Sequence, residues 1–283
     1  MSSEHDTPDS DLGPQENSGE PGSTERLVQA IGPRELRCAL LALLVPRGSR
    51  RALAAWEAET QAESSATPFA FQLRDEAMAL PPAARLPWFE RLLVRMAGQP
   101  LTERQALLES TRRVVSARGA VRPLDTLHWL VMRRRLGEKA WASPPGGADF
   151  DISRLPESEV NAIARYSAFL SRMVPAGSPD GAAGSAWYAL VMKPWKGRVD
   201  VPPQWPLPDT DAVVQALHQV ATLPWMQRPV LVREWVGAAL QESPDRAPSG
   251  LSDLSADALR LSCTLLDSPL PPELSRHYIE PHP

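Results

Sequence analysis

Histidine and cysteine are the side chains in this sequence best suited to metal binding or nucleophilic catalysis, and they are few and scattered. The chain of 283 residues holds two cysteines and five histidines. A zinc-peptidase helix needs two histidines four positions apart, in the pattern H-E-x-x-H, and no pair here has that spacing. The residues concerned are Cys38, Cys263, His5, His128, His218, His277 and His282. They predict two buried free thiols and histidines with structural or surface roles.

The motifs of other enzyme classes are missing as well. The sequence has no G-x-S-x-G nucleophile elbow, no G-x-x-x-x-G-K-[ST] phosphate loop and no G-x-G-x-x-G dinucleotide fingerprint. We therefore predict that the protein is not an enzyme and that it uses no cofactor or metal. An enzyme of unknown chemistry stays as an alternative, because a catalytic triad cannot be recognised from composition.

Arginine is the residue type whose distribution does point to a function. Between Arg85 and Leu136, eleven arginines are set against four acidic residues, a net charge of about +7. Such a segment is either a solvated helical surface or a patch that contacts an acidic protein or anionic lipid head groups. For the second interpretation, the candidate partner-binding residues are Arg91, Arg95, Arg112 and Arg113.

Tryptophan in proline-rich loops offers a second candidate surface. Trp195 follows Pro194, and Trp205 lies within the segment 202–208. Such segments form polyproline II ligands or anchors that fill a pocket of a partner, or they pack their tryptophan onto the body of their own domain. Trp195 and Trp205 are the candidate partner-binding residues if the arginine-rich surface contacts only solvent.

Charge divides the chain into an acidic start and a mildly basic remainder. The formal net charge is −4, and residues 1–25 hold seven acids and no base, so the remainder carries about +3 (−4 minus −7). That charge is too small to indicate a nucleic-acid binder. Residues 1–24 are nearly free of apolar side chains, which predicts a disordered acidic tail. No apolar run approaches the roughly 20 residues of a membrane span, and we expect a cytoplasmic protein.

Hydrophobic periodicity is helical almost throughout, and prolines and glycines mark the predicted helix ends. The sequence therefore predicts an all-α fold in which two helical modules pack as one body. The modules are 25–137 and 156–275, with a linker at 138–155, a Pro/Trp-rich loop at 193–208 and a C-terminal tail at 276–283. Predicted helix starts are Pro33, Pro87 and Pro123, and predicted N-caps are Ser49, Thr102, Asp209 or Thr210, and Ser255.

Four short stretches, taken in their order, resemble one protein family. They are LPPAARLP at 80–87, LTERQ at 101–105, ARGAV at 117–121 and LLDSPLPP at 265–272. The set is similar to the cytosolic C-terminal region of membrane-bound, HtpX-like zinc metallopeptidases, and the similarity extends over residues 27–275. In that family the peptidase domain comes before this region, whereas here an acidic segment stands in its place. The resemblance thus implies an accessory region without the enzyme.

The same resemblance implies a fold related to tellurite-resistance-type, TerB-like helical domains. In TerB-like domains acidic residues at two turns can serve a metal ion. Here Arg118 stands where the first turn would have Asp, and His128 is near the position of the expected Glu. Because a cation next to Arg118 would be repelled, no metal site is carried over.

These observations together predict a non-catalytic protein-interaction module, namely an adaptor, scaffold or regulatory subunit of a membrane-associated complex. The expected partner is a protein, by resemblance a membrane-embedded complex, with weak contact to anionic lipid and peripheral placement at the inner membrane. Nucleic acid is not an expected partner. The main alternative is a TerB-like metal or stress sensor, which would retain a stoichiometric ion.

Overall fold

The structure is a computed structural model that describes residues 24–62, 67–137, 151–175, 181–200, 202, 208–242 and 250–281. Over these residues the fold is all-α, as predicted, and the β contact they contain is an isolated bridge between Lys196 and Val199. The predicted disordered tail lies outside the described residues except for Thr24. None of the helices in these ranges is long and apolar enough to cross a membrane.

The first half of the chain is built around one buried helix. Its helices are α1 (Glu25–Gln29), α2 (Pro33–Leu44), α3 (Arg50–Ala62), α4 (Pro68–Ala79), α5 (Pro82–Ala97), α6 (Leu101–Ser116) and α7 (Pro123–Leu136). Helix α2 contacts α3, α4, α5 and α6. Every residue from Leu36 to Leu44 is buried, which is the pattern of a helix surrounded by others. The indole Nε1 of Trp56 donates to the Cys38 carbonyl oxygen at 2.9 Å and ties α3 to this centre.

The second half contains six further helices in the described ranges. They are α8 (Glu157–Leu170), α9 (Ala182–Met192), α10 (Thr210–Ala221), α11 (Gln227–Glu242), α12 (Asp253–Leu265) and α13 (Pro272–Ser275), with 3₁₀ turns at Ile152–Arg154 and Lys193–Trp195. Helix α8 packs on α10, and α9 packs on α11. Buried tryptophans join these pairs, because Trp187 Nε1 donates to the Trp235 carbonyl oxygen and Trp235 Nε1 donates to Ser167 Oγ.

The two halves share one hydrophobic core along the contact between α7 and α12. Arg134 on α7 donates to the Leu265 carbonyl oxygen and pairs with Asp267, at the end of α12. The free thiols Cys38 and Cys263 are both buried, which confirms the prediction for them. Packing of α12 on α7 matters for function because it brings α12 side chains next to those of the first half.

Proline begins five of the helices in the described ranges, but one predicted start is wrong. Helices α2, α4, α5, α7 and α13 begin with Pro33, Pro68, Pro82, Pro123 and Pro272. Pro87, predicted to begin a helix, lies inside α5. A proline at this position cannot donate to the Ala83 carbonyl oxygen four residues earlier, and the backbone N–H of Ile279 donates to that oxygen at 3.1 Å instead. A contact from the far end of the chain thus compensates for the internal proline.

The predicted N-caps are partly correct. The Ser49 hydroxyl accepts the Ala52 N–H ahead of α3, and Asp209 rather than Thr210 caps α10. Thr102 is not a cap, because α6 already begins at Leu101 after Pro100. Ser252 caps α12 in place of Ser255. The Ser255 hydroxyl instead donates to the Met173 carbonyl oxygen, and this tertiary contact takes it away from a capping role.

The C-terminal segment is packed against the body as far as residue 281, contrary to the predicted tail at 276–283. The Tyr278 side chain is buried and its hydroxyl donates to Asp257 Oδ1 at 3.1 Å. His277 Nε2 lies 3.1 Å from Asp253 Oδ1. Both contacts attach the segment to α12, so residues 276–281 belong to the fold, whereas His282 lies outside the described residues.

Candidate functional site

Arg91 and Arg95 lie one turn apart on α5, and the structure gives them different surroundings. The Arg91 guanidinium lies over the Trp88 ring, 5.5 Å from its centre. Arg95 Nη1 donates to the carbonyl oxygens of Val28 at 2.9 Å and Ala30 at 3.0 Å, at the end of α1. The last carbonyls of a helix lack partners within it and favour a nearby cation. Arg95 therefore anchors α1 on α5, in addition to adding positive charge.

Three exposed apolar side chains lie on α5 and on the segment around the end of α1 that Arg95 contacts. The exposed fraction is 44% for Val28, 70% for Ile31 and 63% for Val94. Val94 is a surface neighbour of Arg91 on α5, since residues three apart on a helix lie side by side, and both line the same groove. The Arg95 contacts place the end of α1 beside them. We call Val28, Ile31, Arg91, Val94 and Arg95 the α1–α5 face.

Arg112 and Arg113 on α6 are engaged by other helices. The Arg112 guanidinium stacks on Trp129 of α7, 4.6 Å from the ring centre. Arg113 forms a two-pronged ion pair with Glu59 of α3, with N–O distances of 2.6 and 2.7 Å. This pair lowers the pKa of Glu59. Arg112 and Arg113 are exposed, but the charge of Arg113 is already paired with the Glu59 carboxylate.

The tryptophan candidates do not add to this surface in the described residues. Trp195 is fully buried, and its Nε1 donates to the Ile152 carbonyl oxygen at 2.7 Å. Of the two alternatives for such loops, packing onto the body of the protein is the one that applies to Trp195. Trp205 lies outside the described residues.

A groove of about 390 Å³ borders the α1–α5 face and shares Arg91 and Val94 with it. Arg135 of α7 and Pro281 of the C-terminal segment also line it. Its far wall is fixed by Arg260 of α12, which pairs with Glu90 at 2.8 Å and with Glu280 at 2.6 Å. The α1–α5 face thus continues into a concave surface with arginines at its edge.

A second concave site, the polar cleft, lies where the end of α2, the start of α5, α7 and α12 meet. Its volume is about 150 Å³. Its polar lining residues are Arg47, Arg85, Arg122, Asp125, His128 and Asp257. Apolar walls come from residues such as Leu44 and Phe89. The sequence analysis did not identify this cleft.

Two titratable groups of the polar cleft have displaced pKa values. Burial lowers the pKa of His128 to about 4, so its ring is neutral near pH 7. Its Nδ1 is 3.0 Å from the Leu124 carbonyl oxygen and therefore carries the proton, which leaves Nε2 as an acceptor. Burial raises the pKa of Asp257 to about 7, and the charge of Asp253 adds to this effect.

Asp125 is held by its own neighbours at the edge of the polar cleft. Its carboxylate accepts the Arg122 backbone N–H at 3.1 Å and pairs with Arg118 Nη2 at 3.2 Å. Arg118 is thus the ion-pair partner of Asp125. In the described part of the chain no group of three or more His, Cys, Asp or Glu side chains could hold a metal ion.

Comparison with known proteins identifies no relative of this chain. No protein-family model, no curated protein and no solved structure matches the chain. The similarity to the C-terminal region of HtpX-like peptidases, and with it the TerB-like fold, therefore stays a prediction from the sequence.

Proposed function

We propose that the chain is a non-catalytic protein-interaction module, an adaptor, scaffold or regulatory subunit, that docks an acidic partner protein on its α1–α5 face. The observation that supports this most is the presence of three exposed apolar side chains and two arginines on α5 and on the α1 segment that Arg95 contacts. Exposed apolar clusters beside arginine are typical of protein interfaces. A solvated helical surface has no comparable need for Val28, Ile31 and Val94.

Charge favours an acidic partner segment that also carries apolar side chains. The segment from Arg85 to Leu136 has a net charge of about +7, which would attract acidic surfaces and repel basic ones. The apolar side chains of the partner would contact Val94 and Ile31, and its carboxylates would reach Arg91. At physiological salt the Debye length is about 8 Å, so carboxylates in direct contact would contribute most.

The α1–α5 face is also held in place before any partner arrives. Besides the Arg95 contacts, the Glu76 carboxylate on α4 accepts the backbone N–H groups of Arg26 at 2.9 Å and Leu27 at 3.1 Å. These bonds satisfy the first N–H groups of α1. A surface fixed in this way loses little conformational entropy on binding, which favours a docking role.

The resemblance suggests where the partner is found. We infer a partner within a membrane complex, with the chain bound peripherally at the membrane and weak contact with anionic lipid as a subsidiary interaction. Affinity purification of the protein from native membranes, followed by identification of the co-eluting proteins, would identify the partner. The partner should no longer co-elute with the Val94→Glu variant, whereas it should still co-elute with the Val121→Glu variant. Val121 is 56% exposed and lies outside the α1–α5 face, so it is a matched control.

Binding to vesicles separates a protein partner from a lipid surface. If anionic vesicles bind the wild type as tightly as the purified partner does, and Val94→Glu abolishes both, the face is a lipid-binding surface and the proposal is wrong. If vesicles bind weakly and the partner tightly, the adaptor function is supported. A protein that co-elutes equally with both variants would contradict docking on this face.

A further inference from the structure

The polar cleft contains a partly buried cation, Arg85, with no carboxylate at ion-pair distance among the described residues. Arg85 Nη1 donates to the Ala77 carbonyl oxygen at 2.7 Å, and its Nη2 donates to those of Leu43 at 2.7 Å and Val45 at 3.1 Å. These carbonyls belong to the ends of α4 and α2 and stabilise the guanidinium. Arg85 forms no ion pair within the part of the chain that the structure describes. Removing a charge from water is costly unless an opposite charge accompanies it.

Arg47 adds a second positive charge to the cleft. Its Nη2 donates to the Leu80 carbonyl oxygen, and its side chain lines the same cleft as Arg85. The pKa of Arg85 is lowered to about 10, chiefly by burial and in smaller part by the positive charge of Arg47, while the charge of Asp257 acts in the opposite direction. Two guanidinium groups that repel each other are both stabilised when an anion lies between them.

The cleft also has donors and space for such an anion. A guanidinium has five N–H groups, and the bonds to carbonyl oxygens use at most three of those of Arg85. The volume of the cleft is about 150 Å³. That is room for one phosphate-sized group, with Leu44 and Phe89 as apolar walls.

We propose that the polar cleft binds a small tetrahedral oxyanion, a phosphate or sulfate group carried by a soluble molecule, between Arg47, Arg85 and Arg122. The Asp125 carboxylate is engaged by Arg118 at 3.2 Å and by the backbone and the side-chain Nε of Arg122 at 3.1 and 3.5 Å. The remaining N–H groups of the Arg122 guanidinium would be the ones that reach the oxyanion. The cleft shares no residue with the α1–α5 face. Oxyanion binding and partner docking can therefore fail or succeed independently.

Asp257 makes the proposed binding depend on pH. The charged and titratable groups around it are Asp253 and Arg260 on its own helix, Arg85 on α5, Tyr278 on the C-terminal segment, and Arg47, Arg122, Asp125 and His128 in the cleft. The pKa of Asp257 is raised to about 7, so above that pH a further negative charge enters the cleft. His128, whose pKa is about 4, stays neutral over this range.

Calorimetric titration of the full chain with sodium sulfate and with inorganic phosphate, against chloride at equal ionic strength, tests the proposal. We expect one saturable site, and at ten times the dissociation constant a rise in Tm of about 3 to 6 °C. Arg47→Gln and Arg122→Gln should each weaken binding about tenfold, since hydrogen bonds to a charged group are lost. Arg51→Gln is the control, an exposed arginine outside the cleft.

Sulfate keeps its charge near neutral pH, so it isolates the effect of Asp257. Its affinity should fall severalfold between about pH 6 and about pH 8 in the wild type, and Asp257→Asn should remove most of that fall. No saturable binding of either ion overturns the proposal, as does an equal loss in Arg47→Gln and Arg51→Gln. Binding to vesicles with phosphomonoester head groups, without binding of the free ions, overturns the assignment to a soluble molecule.

Discussion

Asp257 should make the folded protein lose stability as the pH rises, the reverse of a carboxylate that forms an ion pair in the folded state. Its pKa is raised from the ordinary 3.8 to about 7, chiefly because burial removes water from the carboxyl group. Between about pH 4 and pH 7 the folded chain therefore binds a proton that the unfolded chain has released, and the free energy of unfolding falls across this window. At about 1.4 kcal/mol for each tenfold change in proton affinity, the loss is roughly 3 kcal/mol after a reduction for partial exposure.

The variant Asp257→Asn should not show this pH-dependent loss of stability. Asparagine has nearly the same shape, and its oxygen can still accept the Tyr278 hydroxyl hydrogen bond, but it cannot ionise. We expect the variant to match the wild type near pH 4 and to exceed its free energy of unfolding by roughly 3 kcal/mol near pH 8. His128 acts in the opposite direction, because its lowered pKa costs stability as the pH falls from about 6.5 to 4. This contribution is common to both proteins and cancels in their difference.

Urea unfolding followed by tryptophan fluorescence, repeated between about pH 4 and pH 8, measures the difference directly. The m-values of the two proteins should agree, since the fold is unchanged. A stability difference that stays constant over this pH range would show that Asp257 does not titrate with a raised pKa, and the account of the polar cleft would then be wrong.

Two further predictions concern packing. Gly184→Ala should lower the free energy of unfolding by more than about 2 kcal/mol, because the added Cβ would lie 2.1 Å from the Ser171 carbonyl oxygen. The control is Gly237→Ala in α11, where the added Cβ meets nothing within 4 Å. Because alanine has the higher helix propensity, this variant should be more stable than the wild type by about 0.5 to 1 kcal/mol. Similar unfolding curves for the two variants would contradict the packing of α9. Trp56→Phe should cost about 2 kcal/mol in chemical unfolding, since it leaves the buried Cys38 carbonyl oxygen without the indole N–H; an unchanged midpoint would refute that role.

The helical architecture was predictable because its signals are local. Proline at a first turn and the Ser49 cap act within a few residues, so α2, α3 and α7 could be placed from their own sequence. Pro87 misled the prediction because an internal proline is tolerated where another group takes the freed carbonyl, and that group is the N–H of Ile279. No local pattern contains such a contact. Helix α1, with five residues, is too short for periodicity to reveal.

The candidate sites were predictable only in part, for the same reason. The spacing of Arg91 and Arg95 already placed both on one side of a helix. It could not show that Arg95 binds the carbonyls of α1, or that Arg113 pairs with Glu59 across 54 positions of sequence. The polar cleft combines residues from α2 to α12, so no spacing along the chain brings Arg85 and Asp257 together.

These contacts also change how the docking surface should be tested. Reversing the charge of Arg95 or Arg113 would remove structural bonds as well as surface charge. Loss of binding in such variants would not distinguish docking from partial unfolding. Val94 is a better position, because it lines the groove beside the face and its exposed side chain is apolar. The Arg91 guanidinium lies over Trp88 of its own helix, so the Tm of an Arg91 variant has to be measured together with its binding.

The most direct test of the interaction-module proposal is the dissociation constant of the purified partner for the wild type, Val94→Glu, Arg91→Glu and Val121→Glu. An acidic side chain at position 94 or 91 should weaken binding at least about tenfold, and Val94→Glu should leave the Tm unchanged because Val94 is exposed. Val121→Glu introduces the same charge on a similarly exposed valine and should bind as the wild type does. Equal affinity for all four proteins, or an equal loss in Val121→Glu, would contradict docking on the α1–α5 face.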